Sequence, residues 1–234
     1  MPMRDHTTPP NRAHSDPQRI KADLHVHTCY SPDCLTSLED VVAAALRRGM
    51  GALAITDHDA IEGTLALRGM APFPIIVGEE IDTSEGEIIG LFLEELIPPG
   101  CTAAETVARI KDQGGLVCVP HPFDLQRRHR LCDSALRSIL DDVDIFEVLN
   151  ARALWAGHNA RARRFAQTHG LLMGAGSDAH TPLEIGRAYV EMAPFTDRGS
   201  FLDSLAAARV RGTLSGPHVH LFSTWARAVK HERT

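Results

Sequence analysis

Five short apolar runs in this chain each stop at a histidine or an acid. That placement limits the possible folds more than any other feature. Ile20 to His27 reads as a strand carrying Asp23, His25 and His27. Ala52 to Thr56 runs into Asp57-His58-Asp59, and Ile75 to Gly78 into Glu79-Glu80. Leu116 to Val119 ends in Pro120-His121-Pro122, and Leu171 to Ala175 in Gly176-Ser177-Asp178-Ala179-His180. Side chains alternate along a strand, so His25 and His27 point to one side, as a pair of metal ligands would. Alone, that pair reads equally well as two unrelated histidines on an edge strand. Polar residues placed at random would scatter through helices and loops; five strand ends delivering His, Asp or Glu point to one centre.

Helical segments separate these runs. Thr36 with Glu39 forms a capping-box pattern before a helix over Leu38 to Arg48, stopped by Gly49. Thr102 with Glu105 repeats the pattern before Ala103 to Gln113. Further helices are predicted over Asp133 to Leu140, Leu154 to His169, Phe201 to Arg211 and Leu221 to Val229. Ile88 to Leu93 and Ile145 to Leu149 are additional strands, with minor ones at Tyr189 to Glu191 and Leu214. Strand–helix alternation of this kind implies an α/β fold with a mainly parallel sheet. The number of units suggests a closed or nearly closed, TIM-like barrel. Such barrels collect their chemistry at the C-terminal ends of the strands.

The length, 234 residues, suits one barrel domain over 20–234 behind a polar, Pro-rich lead-in at 1–19, expected to be disordered. The net charge of -6 and 5% aromatic content argue against a nucleic-acid partner. The cysteines, an odd five with no CxxC pair, read as reduced thiols of a cytoplasmic protein. No apolar stretch is long enough to cross a membrane, and the N-terminus lacks the apolar core of a secretory signal.

The motifs Asp23-Leu24-His25-Val26-His27-Thr28, Ile55-Thr56-Asp57-His58-Asp59, Gly78-Glu79-Glu80-Ile81, Pro120-His121-Pro122 and Gly176-Ser177-Asp178-Ala179-His180 together resemble those of the PHP (polymerase and histidinol phosphatase) superfamily. Each is weak alone; five in order are specific. The resemblance covers about Ile20 to Val190. It implies a distorted (β/α)7 barrel, two or three divalent metals (Zn, Mn or Fe) and mostly phosphoester hydrolysis. By that resemblance His25, His27, Glu80 and Asp178 would hold one metal. Glu80 would bridge to a second, bound by His121. Asp33, His58 and His180 would hold a third. Asp178, His58 and His180 would also be catalytic. The family commonly adds a histidine to the second metal from the strand after the bridging glutamate. Here that segment, Gly86 to Leu91, has none. Glu87 is the nearest candidate, and it reads equally well as a solvated turn residue.

A phosphomonoester repels hydroxide. Adjacent divalent metals lower the pKa of bound water and clamp the phosphoryl oxygens. Asp57 or Asp59 is expected to orient an imidazole, with a turn-capping role competing for Asp59, and Glu147 could stand behind a ligand. For substrate, the loop after His121 offers Arg127, Arg128 and Arg130, and the strand end at Asn150 adds Arg152. Guanidinium groups match phosphate oxygens. His218 and His220 read as a surface loop. The expected activity is hydrolysis of a small phosphorylated molecule: a nucleotide, sugar phosphate or amino-alcohol phosphate. A 3′–5′ exonuclease, a catalytically idle metal-binding scaffold and a hydrolase of another bond are the alternatives. Oligomeric state is not encoded legibly.

Overall fold

The structure is a computed structural model describing residues 19–232. The expected lead-in, apart from Arg19, lies outside the described residues.

The apolar runs become strands, packed where expected. In chain order the elements are β1 (Ile20–Val26), α1 (Leu38–Arg48), β2 (Ala52–Ile55), α2 (Glu62–Arg68), β3 (Ile75–Thr83) and β4 (Gly86–Leu91). Next come α3 (Ala103–Asp112), β5 (Leu116–Val119), α4 (Asp133–Ile139), β6 (Ile145–Asn150), α5 (Ala156–His169) and β7 (Leu172–Gly176). The chain finishes with β8 (Ala188–Met192), α6 (Arg198–Ala206), β9 (Arg209–Gly212) and α7 (Val219–His231).

The strands form a sheet ordered β7-β6-β5-β4-β3-β2-β1-β8-β9. β1, β2 and β3 pair in parallel, as do β5, β6 and β7. β4 is antiparallel to both neighbours. The distortion of the barrel is therefore specific: a β3–β4 hairpin replaces one strand–helix unit. The seam closes beyond the strand ends, where Val26 bridges Ala179 and Asp178 N donates to His25 O at 2.8 Å.

Alternation along the strands sorts the core into layers. Leu53 and Ile55 pack with Val41 and Ala45 of α1. The intervening Ala52 and Ala54 pack instead with Ile89, Cys118, Ile145 and Ala175 from the other strands, filling the barrel. On the far side Val117 and Val119 meet the helices α3, α4 and α5.

Three local readings are corrected. The first helix is capped by Ser37, which accepts from Asp40 N, while the Thr36 hydroxyl donates to His180 O. Phe201 to Arg211 is not one helix: α6 ends at Ala206, and Arg209–Gly212 pairs with β8, fixed by that strand's exposed edge. Leu214 is not in a strand. The Thr102–Glu105 capping box is present as read.

Candidate metal centre

β1 delivers His25 and His27 beside a register shift between Asp23 and Val26. Such irregularities re-aim side chains locally. The two Nε2 atoms lie 3.1 Å apart. Glu80 Oε2 sits 3.2 Å from the first and 3.3 Å from the second. Asp178 Oδ1 is 3.9 Å and 3.6 Å from the same two nitrogens. Glycine at 176 permits this approach, since a Cβ there would lie 2.2 Å from His25 Cβ.

The outer ring nitrogens fix the tautomers. His25 Nδ1 is 3.1 Å from Glu147 Oε1, a carboxylate that can only accept when ionised. His27 Nδ1 is 3.0 Å from Ser31 Oγ, whose single proton goes to Asp57 Oδ1 at 2.6 Å. In their neutral forms both imidazoles then turn Nε2 lone pairs toward Glu80. Lone pairs and carboxylate oxygens converging this closely demand a cation. The buried Asp178 Oδ1, which finds no hydrogen-bond donor among the described residues, makes the same demand. The donor set, nitrogen and oxygen in equal part, fits a divalent metal.

The remaining ligand candidates fall on either side of Glu80. His121 Nε2 lies 3.0 Å from Glu80 Oε1, so the carboxylate offers one oxygen to each side. Glu87 Oε2 is 3.5 Å from that nitrogen, and Glu87 Oε1 is 3.8 Å from His58 Nδ1. Glu87 is thus buried in the centre rather than solvated on a turn. His180 Nε2 reaches Asp33 Oδ1 at 3.2 Å, with His58 Nε2 at 3.8 Å from the same oxygen. His58 faces both ways, its Nδ1 lying 3.5 Å from Glu80 Oε2. All nine expected ligands are therefore gathered. His25–Glu80–His121, His25–His27–Asp178, His58–Glu80–Glu87 and His27–His58–His180 each present ligand atoms within 4.8 Å of one another. His121 and Asp178 have left-handed backbones, φ 29° and 53°, a conformation that persists only where surrounding structure enforces it.

The buried groups act strongly on one another, and a proton on His25 competes with a cation for its Nε2. Burial opposes charge on His25, but Glu80, Asp178 and Glu147 raise it well above the usual imidazole range. Burial, and then His180, push His27 down to about 3. Burial opposes charge on Glu80 as well, yet His25 and His58 hold it well below the ordinary carboxylate range. Burial and the neighbouring Glu80 push Glu87 well above that range. Glu79, next in sequence, alternates away: its Oε2 accepts from Ile97 N at 2.9 Å.

Around the ligands, Glu147 is a hub. Its Oε2 accepts from His121 N at 2.7 Å and from Asn150 Nδ2 at 3.0 Å. Asp57 orients His27 through Ser31, whereas Asp59 Oδ1 accepts from Asp82 N at 2.9 Å, tying its turn to β3 rather than capping it.

The mouth above is a cleft of about 400 Å³ lined by Arg127, Arg128, Arg152, His220, Ser223 and Arg227 among others. The expected substrate residues divide here. Arg127 donates to Asp178 Oδ2. Arg128 is exposed and lines the cleft. Arg130 is turned away, its Nη1 bound to Pro122 O, Leu131 O and Asp133 Oδ1. Asn150 is fully buried and spends its amide on Glu147 and Asp178. Arg152 reaches the cleft wall, but its Nη2 donates to Val219 O and Ser223 Oγ, fastening α7. His220 belongs to this wall, not to a surface loop, with Nε2 3.1 Å from Arg152 O. Arg227 was missed altogether; its Nη2 lies 3.0 Å from Asp33 Oδ2. The amphipathic pattern of Leu221 to Val229 was the available signal, but it carries no direction of docking.

The chain matches the PHP domain over residues 23–115 and a PHP-associated region over residues 156–210. An uncharacterized protein of Methanocaldococcus jannaschii is 40% identical over 146 residues, covering 56% of this chain and 82% of that protein. A probable phosphatase of Caldicellulosiruptor saccharolyticus is 22% identical over 208 residues, covering 73% and 84%. Among solved structures, a two-domain Bacteroides vulgatus protein containing a predicted PHP-like metal-dependent phosphoesterase aligns with TM-score 0.67 at 17% identity, over 84% of this chain and 66% of that one. A lesion-specific endonuclease from Pyrococcus furiosus aligns with TM-score 0.62 at 16% identity, over 82% and 58%. These structures share the fold; the sequence matches go further, and the chain belongs to the PHP domain family.

Proposed function

We propose that this chain is a metal-dependent phosphoric ester hydrolase acting on a small phosphorylated molecule, with everything from Ile20 onward serving as one catalytic domain. The observation that carries this reading is Glu80. Its two oxygens meet imidazoles from separate strand ends, His25 at 3.2 Å and His121 at 3.0 Å. A carboxylate so placed suits a bridge between two cations. His25, His27 and Asp178 would complete one site, His121 and Glu87 the second, and Asp33, His58 and His180 a third. Zn, Mn or Fe would lower the pKa of water there and offset the phosphoryl charge.

The chain's own residues supply the rest. Asp178 Oδ1 faces the centre and is kept ionised there, against its burial, by Arg127 and His25. Arg127 and Asn150 hold its other oxygen in place. Arg128 stands at the mouth to meet a phosphoryl oxygen. The probable phosphatase among the relatives supports the same reaction class. The test is metal analysis of the purified protein, then p-nitrophenyl phosphate and a phosphorylated-metabolite screen with added Mn, Zn or Fe. Turnover that depends on both metal and His25 is expected. Stoichiometric metal with no turnover on any ester would leave only a scaffold.

A further inference from the structure

A helix on the surface of a globular domain ordinarily turns its apolar stripe to the core and its polar face to water. Helix α7 does the reverse. Toward the cleft it turns His220, Ser223, Arg227 and Lys230. Ser223 Oγ accepts from Arg152 Nη2 at 2.8 Å, and Arg227 Nη2 donates to Asp33 Oδ2 at 3.0 Å. Lys230 Nζ donates to Cys29 O and Ser31 O, each at 2.5 Å. The buried residues of the helix are the small Val219 and Ala226. Its large apolar side chains point away from the protein: Leu221, Phe222 and Trp225 are 71%, 49% and 60% exposed. Leu221, Trp225 and Val229 stand in one row, a turn apart, with Phe222 beside it.

The order of residues along this face selects its occupant. His218 and Glu232, both exposed, close the row at its two ends. Both keep helical backbone angles, φ -60° and ψ -23° for His218, φ -74° and ψ -13° for Glu232, so the row continues through them. Trp225 stands midway. An antiparallel pair of helices with its two-fold axis at Trp225 therefore sets that ring against its own copy. It also sets Leu221 opposite Val229, Phe222 opposite Ala228, and His218 opposite Glu232 of the other copy. An imidazole N–H can donate to the carboxylate there, whereas parallel helices would oppose Glu232 to Glu232. Other covers fit less well. Residues 1–18 contain no Leu, Ile, Val, Phe, Tyr or Trp, and the net charge of -6 opposes an anionic lipid surface. We propose that α7 is a self-association surface that joins two copies of this chain in an antiparallel pair. Leu221, Phe222 and Trp225 offer about 400 Å² per copy, half of what each partner gives to a standard interface, which fits a reversible dimer of micromolar Kd. The helix then gains the apolar burial that its polar inner face does not provide.

The experiment is sedimentation velocity on the full chain, over a concentration series reaching the hundred-micromolar range. Wild type should pass from monomer to dimer. Trp225→Glu brings two carboxylates together on the axis and should raise Kd about 30-fold or more, as loss of a central tryptophan does. The side chain is exposed, so far-ultraviolet circular dichroism should not change. Leu46→Glu, an equally exposed leucine on α1, should dimerise as wild type does. His218→Glu should weaken the dimer, and adding Glu232→Lys should restore it, because opposite charges then face each other again. A wild-type monomer at every concentration would overturn the proposal. So would a dimer indifferent to Trp225→Glu, a dimer equally weakened by Leu46→Glu, or a double variant that fails to recover. Binding of the monomer to phosphatidylglycerol vesicles, lost in Trp225→Glu, would assign the face to lipid and overturn it as well.

Discussion

The floor of the site and its rim are both built from charged residues but by different rules. Apart from Asp33, floor residues lie on or just beyond strands, where register sets direction, and partners lock the two leading rings: Glu147 for His25, Ser31 for His27. Rim residues are arginines on a loop and a terminal helix, with long stems able to reach several acceptors. Arg127 turned inward to Asp178, Arg130 turned back to Asp133, and Arg152 became a fastening for α7. A short side chain on a strand therefore declares its role in the sequence. A long one on a loop takes its role from whichever acceptor packing leaves nearby.

The sharpest break between floor and rim comes from His25→Ala. It removes a nitrogen 3.2 Å from Glu80 Oε2 and 3.1 Å from His27 Nε2, and kcat on p-nitrophenyl phosphate should fall about 10³-fold or more, the worth of a catalytic metal. Metal content measured on the same preparation should fall with it. Wild-type turnover in the variant would mean the floor is scaffold only.

Arg152→Ala should separate two rim arginines. Arg152 is 2% exposed, with Nε 3.5 Å from Glu184 Oε1. Removing it strands a buried carboxylate and should cost about 3 kcal/mol in chemical denaturation. Arg130→Ala, beside the exposed Asp133, should cost under about 1 kcal/mol. Equal losses would erase the distinction between a fastening and a loop contact.

Glu147→Ala probes how far the floor depends on support behind it. The glutamate touches no open space, yet it sets the His25 tautomer and holds His121 N. Metal affinity measured by competition with a chelator should weaken about 10–100-fold. Unchanged affinity would mean that strand register alone aligns the rings.

The division between floor and rim is also the division between what was legible and what was not. The alternating strands and the barrel followed from periodicity, and seven ligand candidates lay in the five strand-end motifs, whereas Asp33 and Glu87 came only from the family resemblance. Even Glu87, which the sequence left between ligand and turn, reached the centre because the β3–β4 hairpin sets it opposite Asp82. What failed depended on contacts distant in sequence. Thr36 looked like a helix cap, but His180 O, 144 residues away, claims its hydroxyl. Asn150 looked available to substrate, but Glu147 and Asp178 use both its protons. His220 and Arg227 gave no local sign that α7 would fold back over the mouth.

Arg128 is the smallest and most discriminating case, because it is the rim residue left to meet a ligand. It is exposed, lines the cleft and makes no ion pair with any described residue. Its replacement should barely touch stability, since no buried partner is stranded. Arg128→Ala should raise KM for a phosphorylated substrate about fivefold with kcat unchanged, the worth of one exposed charge-assisted hydrogen bond. The contact is solvent-facing, so salt should screen it. The wild-type KM should therefore climb with ionic strength until it approaches that of the variant, while the variant changes less. A KM gap that persists undiminished in high salt would assign Arg128 a packing role. Functional cations of the rim would then lie on α7 instead, with Arg227 the first to replace.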